Sequence, residues 1–229
     1  MFFSTHRTRK IDVTQETQAL LQIGEQAIAF AKSCMPDGAG NITADIKKSR
    51  GASYLRSLLA RKIAPPHDDD KLHTRETAYS AFATGGGNCD EYASIVAIWL
   101  RQNGPIGKYI AFCEEPSMDH VFVVIKNDDE NHITENDIVV DAWPPQARAL
   151  LAKHYKIPPD QMNILAIKRI DAKPFATPRV AEKYSYFKEP TDEQLQEIKE
   201  ANLSEEYWPY LRYDIEHMQN SRIEYVHPA

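Results

Sequence analysis

The stretch from Thr84 to Leu100 constrains the fold more than any other part of the chain. Three glycines, Gly85, Gly86 and Gly87, lead through Asn88 into an apolar run that opens on Cys89. Ile95, Val96, Ile98, Trp99 and Leu100 place apolar groups on nearly every side of a helix, so this helix is expected at the centre of the molecule. Asn103-Gly104-Pro105 stops it. A thiol in the first turn of a helix meets backbone N–H groups that lack intrahelical partners and carry partial positive charge, which is where a nucleophile would sit. The glycines allow a sharp turn and leave room for a substrate backbone. The plainer alternative is that Cys89 is a small buried apolar residue behind an ordinary loop.

At 229 residues with 42% hydrophobic side chains, the chain can bury one substantial core. One domain over 1–229 is expected, with a core at about 40–172, a helical extension at 12–36 and an extended and helical one at 173–229. A net charge of −6 argues against a general nucleic-acid binder, which needs a basic surface. The basic cluster His6-Arg7-Thr8-Arg9-Lys10 reads as a solvated N-terminal flank. Cys34, Cys89 and Cys113 form no CxxC pair, which favours free thiols in a reducing compartment. No apolar run approaches a membrane span, and no cleavable leader is recognisable. The expectation is a soluble protein, cytoplasmic or exported without a cleavable signal peptide, with no membrane or nucleic-acid partner, no metal and no cofactor.

Apolar periodicity predicts an amphipathic helix over 15–33, a second around Tyr54, Leu55, Leu58 and Leu59, and a short third over 74–82. Between the last two, His67-Asp68-Asp69-Asp70-Lys71-Leu72-His73 has the composition of a metal site but no recognised ligand spacing, and it reads as a solvated loop or helix start. After the cysteine helix the period becomes that of strands, at 108–114, 119–126 and 137–141, with 127–131 polar enough for a hairpin tip. An antiparallel sheet packed on the cysteine helix follows, making the fold α+β. Residues 146–155 read as helical, 163–170 as a further strand, 174–190 as an extended crossing, and 191–201 and 204–219 as helices. Tyr207, Trp208, Tyr210 and Tyr213 make the last of these aromatic, suited to packing on the body or to a partner surface.

A nucleophilic cysteine needs a base and a group that orients the base. His120 shares a strand face with Phe122 and Val124, and Asp141 shares one with Val139 and Trp143. A hairpin folded about the polar stretch near Asn131 puts His120 opposite Asp141, whereas a one-residue slip would separate them onto different faces. Cys113 lies within a strand and is expected to be buried, and Cys34 ends a helix in a structural role.

The order Cys89, His120, Asp141, with spacings of 31 and 21 residues, resembles the transglutaminase-like core of the papain-like cysteine enzymes. The residues that carry the resemblance are Gly87-Asn88-Cys89-Asp90-Glu91-Tyr92-Ala93, Asp119-His120-Val121-Phe122-Val123 and Val139-Val140-Asp141-Ala142-Trp143, within about 80–145. The resemblance implies a catalytic cysteine at the start of a central helix, packed on an antiparallel sheet that carries histidine and aspartate. It implies a thiolate attacking a carboxamide carbon of a protein or peptide, with deamidation, transglutamination or proteolysis as the outcome. Cys89 would be the nucleophile, His120 the base and then acid, and Asp141 the orienter. The backbone N–H of Cys89 would be one oxyanion donor. The second is open between Asn88 and Thr84, because no glutamine lies between His67 and Cys89, and Trp143 is a candidate for substrate binding. Compact bacterial effectors and toxins of this superfamily are similar in size.

Asp90 and Glu91 suit a helix start but disfavour a neighbouring thiolate, so an ion pair between Cys89 and His120 is expected. Two other readings stand beside this one. An arylamine-acetyltransferase-like enzyme shares the paired glycines, the cysteine and a following glutamate, but ordinarily has an arginine where Thr84-Gly85 stands. A non-catalytic binding module on the same fold could use the aromatic C-terminal segment as its contact surface.

Overall fold

The computed structural model describes residues 9–63, 74–171 and 223–228. The expectations for 67–73, 174–190, 191–201 and 204–219 lie outside them. In chain order the elements are β1 (Arg9–Asp12), α1 (Gln15–Cys34), α2 (Thr43–Lys48), α3 (Ala52–Ile63), α4 (Thr74–Thr84), α5 (Cys89–Asn103), β2 (Tyr109–Glu115), β3 (His120–Lys126), β4 (Ile138–Val140), β5 (Ala149–Leu151), β6 (Asn163–Arg169) and β7 (Ile223–Val226). The fold is α+β.

Strands β2 to β6 form an antiparallel sheet in the order β5-β4-β3-β2-β6. Alternation along the strands sends side chains into two cores. Ile110, Phe112, Val123, Ile125, Ile138 and Val140 point toward the helices and pack with Leu20, Ala27, Ile28 and Ala31 of α1 and Tyr92, Ile95 and Val96 of α5. Ala111, Cys113, Phe122, Val124 and Val139 point the other way, and Tyr155, Ile157 and Met162 from the chain between β5 and β6 cover them. The N-terminal helix is therefore part of the main core. Thr14 starts it, its hydroxyl accepting from the Thr17 N–H at 3.1 Å. Gly24 lets it lie against the sheet, since a Cβ there would come within 2.8 Å of the Ala149 Cβ.

Two expectations are corrected. The segment 146–155 contains a strand, β5, followed by the 3₁₀ turn Ala152–His154, where a helix was expected. Ala149 and Leu151 enter one core and Leu150 the other, so the run is apolar on both faces, a pattern that periodicity alone does not separate from a buried helix. Part of the basic N-terminal tail, Arg9 and Lys10, is a strand, β1, which pairs in parallel with β7, while both side chains stay exposed as expected of a solvated flank. The β3–β4 register also differs: Val123 pairs with Val140 and Ile125 with Ile138, two residues away from the pairing that would set His120 directly opposite Asp141. The shift is two residues, so every side chain keeps its face.

Candidate active site

The glycine turn joins α4 to α5 and is shaped by packing within the protein. Gly85 has φ +65°, a conformation that favours glycine. A Cβ on Gly86 would stand 2.6 Å from the Arg56 backbone carbon of α3. A Cβ on Gly87 would stand 2.3 Å from that of Glu91. The room expected for a substrate backbone is thus occupied at Gly86 by α3 and at Gly87 by the first turn of α5. Arg56 closes the turn from outside, donating from one guanidinium nitrogen to the Thr84 carbonyl and from another to the Asp37 carboxylate, both at 2.8 Å.

Asn88 is the N-cap of α5, and Cys89 is its first residue. The buried Glu91 carboxylate reaches back to accept from the Asn88 backbone N–H at 2.6 Å. Glu91 thus serves the helix start. Asn88 is 6% exposed, and its Oδ1 has no hydrogen-bond partner in the protein. Thr84 is buried, and its hydroxyl donates to the Ser80 carbonyl of its own helix at 2.8 Å.

His120 opens β3 and is 1% exposed. Its ring is held on two sides, stacking on Phe122 at 5.5 Å between centroids and packing on the Trp143 ring at 4.7 Å. Nε2 hydrogen-bonds Asp141 Oδ2 at 2.9 Å. Asp141, itself buried, also accepts from the Tyr155 hydroxyl at 2.7 Å on the same oxygen and from the Trp143 backbone N–H at 3.1 Å on the other. Burial alone would raise this carboxyl. The His120 imidazole, the Tyr155 hydroxyl and the Trp143 N–H outweigh it and hold the group below the ordinary aspartate range. Since Nε2 is engaged with the carboxylate, Nδ1 is the imidazole nitrogen left over, and it is buried with no partner in the protein. Trp143 is fixed in turn: its indole N–H donates to Asn41 Oδ1 at 2.9 Å, and its carbonyl accepts from Lys32 Nζ at 3.3 Å.

The structure brings Cys89 to the turn before His120 without pairing the two side chains. The thiol donates to the Asp119 carbonyl at 3.8 Å, and Asp119 has a left-handed backbone, φ +49°. Burial pushes the thiol well above its ordinary range, and the Asp90 charge adds to this. The Val121 backbone N–H pulls the other way, while Glu91 and Asp141 raise it further. In place of the ion pair expected between Cys89 and His120, the thiol rests on the Asp119 carbonyl, and burial favours its neutral form. Desolvation dominates because a buried thiolate would lose its hydration and the partial charges of the helix start do not replace it, while the nearby carboxylates oppose the anion further.

Tyr155, expected at a helix end, is a further member of the site. The signal was weak: a tyrosine three residues beyond an apolar run shows its role only once the chain folds back over the sheet. Cys113 is fully buried, and burial pushes its thiol up to about 12. Cys34 is half-buried. Among the described residues no group of three or more His, Cys, Asp or Glu side chains is arranged to hold a metal ion. No helix among them is long and apolar enough to cross a membrane.

Comparison with known family models, curated proteins and solved structures returns no match.

Proposed function

We propose that the chain is a cysteine-dependent acyl-transfer enzyme that acts on amide groups of a protein or peptide, on a transglutaminase-like variant of the papain-like fold. One observation carries this reading. A buried imidazole is tied through Nε2 to a carboxylate with two further hydrogen-bond donors, while its Nδ1 is unsatisfied beside the turn that touches a helix-start thiol. An unsatisfied buried nitrogen is costly for stability, and a catalytic base is one reason to keep it.

The chemistry follows from the tautomer. With Asp141 accepting from Nε2–H, Nδ1 carries the lone pair and is the base. Rotation of the Cys89 side chain away from the Asp119 carbonyl lets Nδ1 take the thiol proton. The sulfur then attacks the amide carbon, and the C–N bond breaks as Nδ1–H returns its proton to the departing nitrogen. The thioester is resolved by water or an amine, with Nδ1 again taking the proton of the incoming nucleophile. Asp141 stays ionised throughout and stabilises the imidazolium. As the first residue of α5, Cys89 has a backbone N–H without an intrahelical acceptor, suited to the oxyanion. The Asn88 side-chain amide is the better placed of the two further donors considered, because the Thr84 hydroxyl donates within its own helix.

The test is intact-mass analysis of a broad panel of glutamine-bearing proteins and peptides incubated with wild type or Cys89→Ala, with and without a primary amine. Wild type is expected to give a gain of about one dalton, amine incorporation or fragments, and Cys89→Ala none. A panel unchanged by wild type, or changed equally by both, would overturn the reading.

A further inference from the structure

Two buried acceptors on the paired strands β2 and β3 lack partners in the protein: His120 Nδ1 and Glu115 Oε2. Glu115 ends β2 directly opposite His120, and side chains at such a cross-strand position share one face with their Cβ atoms about 5 Å apart. It is 6% exposed. Its other oxygen, Oε1, accepts from the Ser117 hydroxyl at 2.7 Å and from the Ser117 N–H at 3.2 Å, which fixes the carboxylate at the base of the turn. The same turn ends at Asp119, whose carbonyl receives the Cys89 thiol. A buried carboxylate oxygen with no donor is among the more expensive groups a protein can keep.

We propose that Glu115 is a substrate-binding residue that receives a primary ammonium or amine group beside His120. Such a group offers the N–H donors that the two acceptors lack, and its positive charge matches Glu115 and the Asp141 carboxylate behind His120. This assignment rests on the proposed acyl transfer, in which an amine leaves from, or arrives at, the side of the thioester that faces the imidazole. Glu115 there orients the nitrogen while His120 moves its proton.

Small thiol-directed probes test this without a known substrate. Cys89 alkylation, located by peptide mapping, is followed with 2-bromoethylammonium and iodoacetate, and each rate is divided by that of N-acetylcysteine. The normalised preference for the cation over the anion is expected to be on the order of tenfold in wild type and to fall close to one in Glu115→Gln, whose remaining oxygen can still accept from Ser117. In wild type alone, ethylammonium is expected to slow iodoacetamide labelling of Cys89, whereas tetramethylammonium, with the charge but no N–H, is not. This second measurement holds if Glu115→Gln fails to fold. A wild-type preference near one, a preference unchanged in a folded Glu115→Gln, or equal effects of the two ammonium ions would overturn the assignment. Product formation in the mass assay combined with any of these results removes Glu115 and leaves the acyl-transfer reading standing. Probe selectivity with no product removes the reaction and leaves the ammonium site.

Discussion

At the scale of single residues, the site is organised around Asp141 rather than around the thiol. Its carboxylate collects an imidazole, a phenol and a backbone N–H, and the phenol comes from Tyr155 across the second core. Tyr155→Phe leaves the packing against Phe122 in place, with ring centroids now at 5.3 Å, and removes one donor. It is expected to cost about 1–3 kcal/mol in denaturant unfolding. It should also raise the Asp141 carboxyl toward its ordinary value, so the native state loses less stability on acidification through that range. The sign follows from linkage: a carboxyl held low in the native state contributes stability above its unfolded value, and this is lost as pH falls through the folded one.

Lys32 behaves in the opposite sense. Its ammonium lies 4.8 Å above the Tyr92 ring and donates to Trp143, yet burial pushes it down to about 8, with Asp45 and Asp141 only partly offsetting. Between about 8 and the ordinary 10.5 the unfolded chain binds more protons than the native one, so raising pH through that window favours the native state. Unfolding midpoints at pH 7.5 and 9.5 should show wild type gaining on the order of 1 kcal/mol relative to Lys32→Met. An unchanged difference between the two proteins would show that Lys32 has an ordinary affinity for its proton.

At the scale of elements, the turn and the two strands behave differently as sequence signals. The glycine turn is legible as a turn, but its glycines answer to α3 and to Glu91, neither of which is implied by the string itself. Gly86→Ala is expected to destabilise by about 1–3 kcal/mol through the Arg56 backbone, read as a drop in unfolding midpoint. The same clash should part α3 from α5 and lower Cys89 labelling selectivity. The hairpin that joins β3 to β4 is also legible, because the polar stretch at its tip and the apolar runs on each side set the parity of the pairing. Parity is what keeps His120 and Asp141 on one face, and it survives the two-residue difference in register. The register itself depends on the loop. Lys126, buried at the end of β3, donates to the His132 carbonyl at 2.5 Å and to Asp137 Oδ2 at 3.4 Å, while the Thr134 N–H meets the same Asp137 oxygen at 2.7 Å. A lysine in an apolar strand gives no advance notice that it will fasten the loop beyond it.

At the scale of the whole molecule, the two ends of the described chain meet. β7 pairs with β1, and the Tyr225 hydroxyl accepts from the Leu151 N–H at 3.1 Å and bonds His154 Nδ1 at 2.9 Å. Those residues lead directly into Tyr155, so the C-terminal strand braces the segment that supplies a donor to Asp141. Tyr225→Phe is expected to cost about 1 kcal/mol and to speed amide hydrogen exchange at Leu151 by several-fold. Exchange at β2 and β3 should remain unchanged, because their amides are held by the centre of the sheet.

The residues proposed for the chemistry are legible in the sequence alone: a cysteine at a helix start, a histidine and an aspartate on strand faces of matching parity, and an apolar helix central enough to carry the cysteine. Local periodicity suffices for these because each depends on neighbours a few positions away. The state of the thiol, the identity of the free imidazole nitrogen and the entry of Tyr155 and Glu115 were decided by the tertiary structure. Desolvation and hydrogen-bond satisfaction depend on which distant segments close over a group, and no local pattern contains them. β5 illustrates the division: its apolar run ensures burial, and only the vacant edge of β4 makes it a strand.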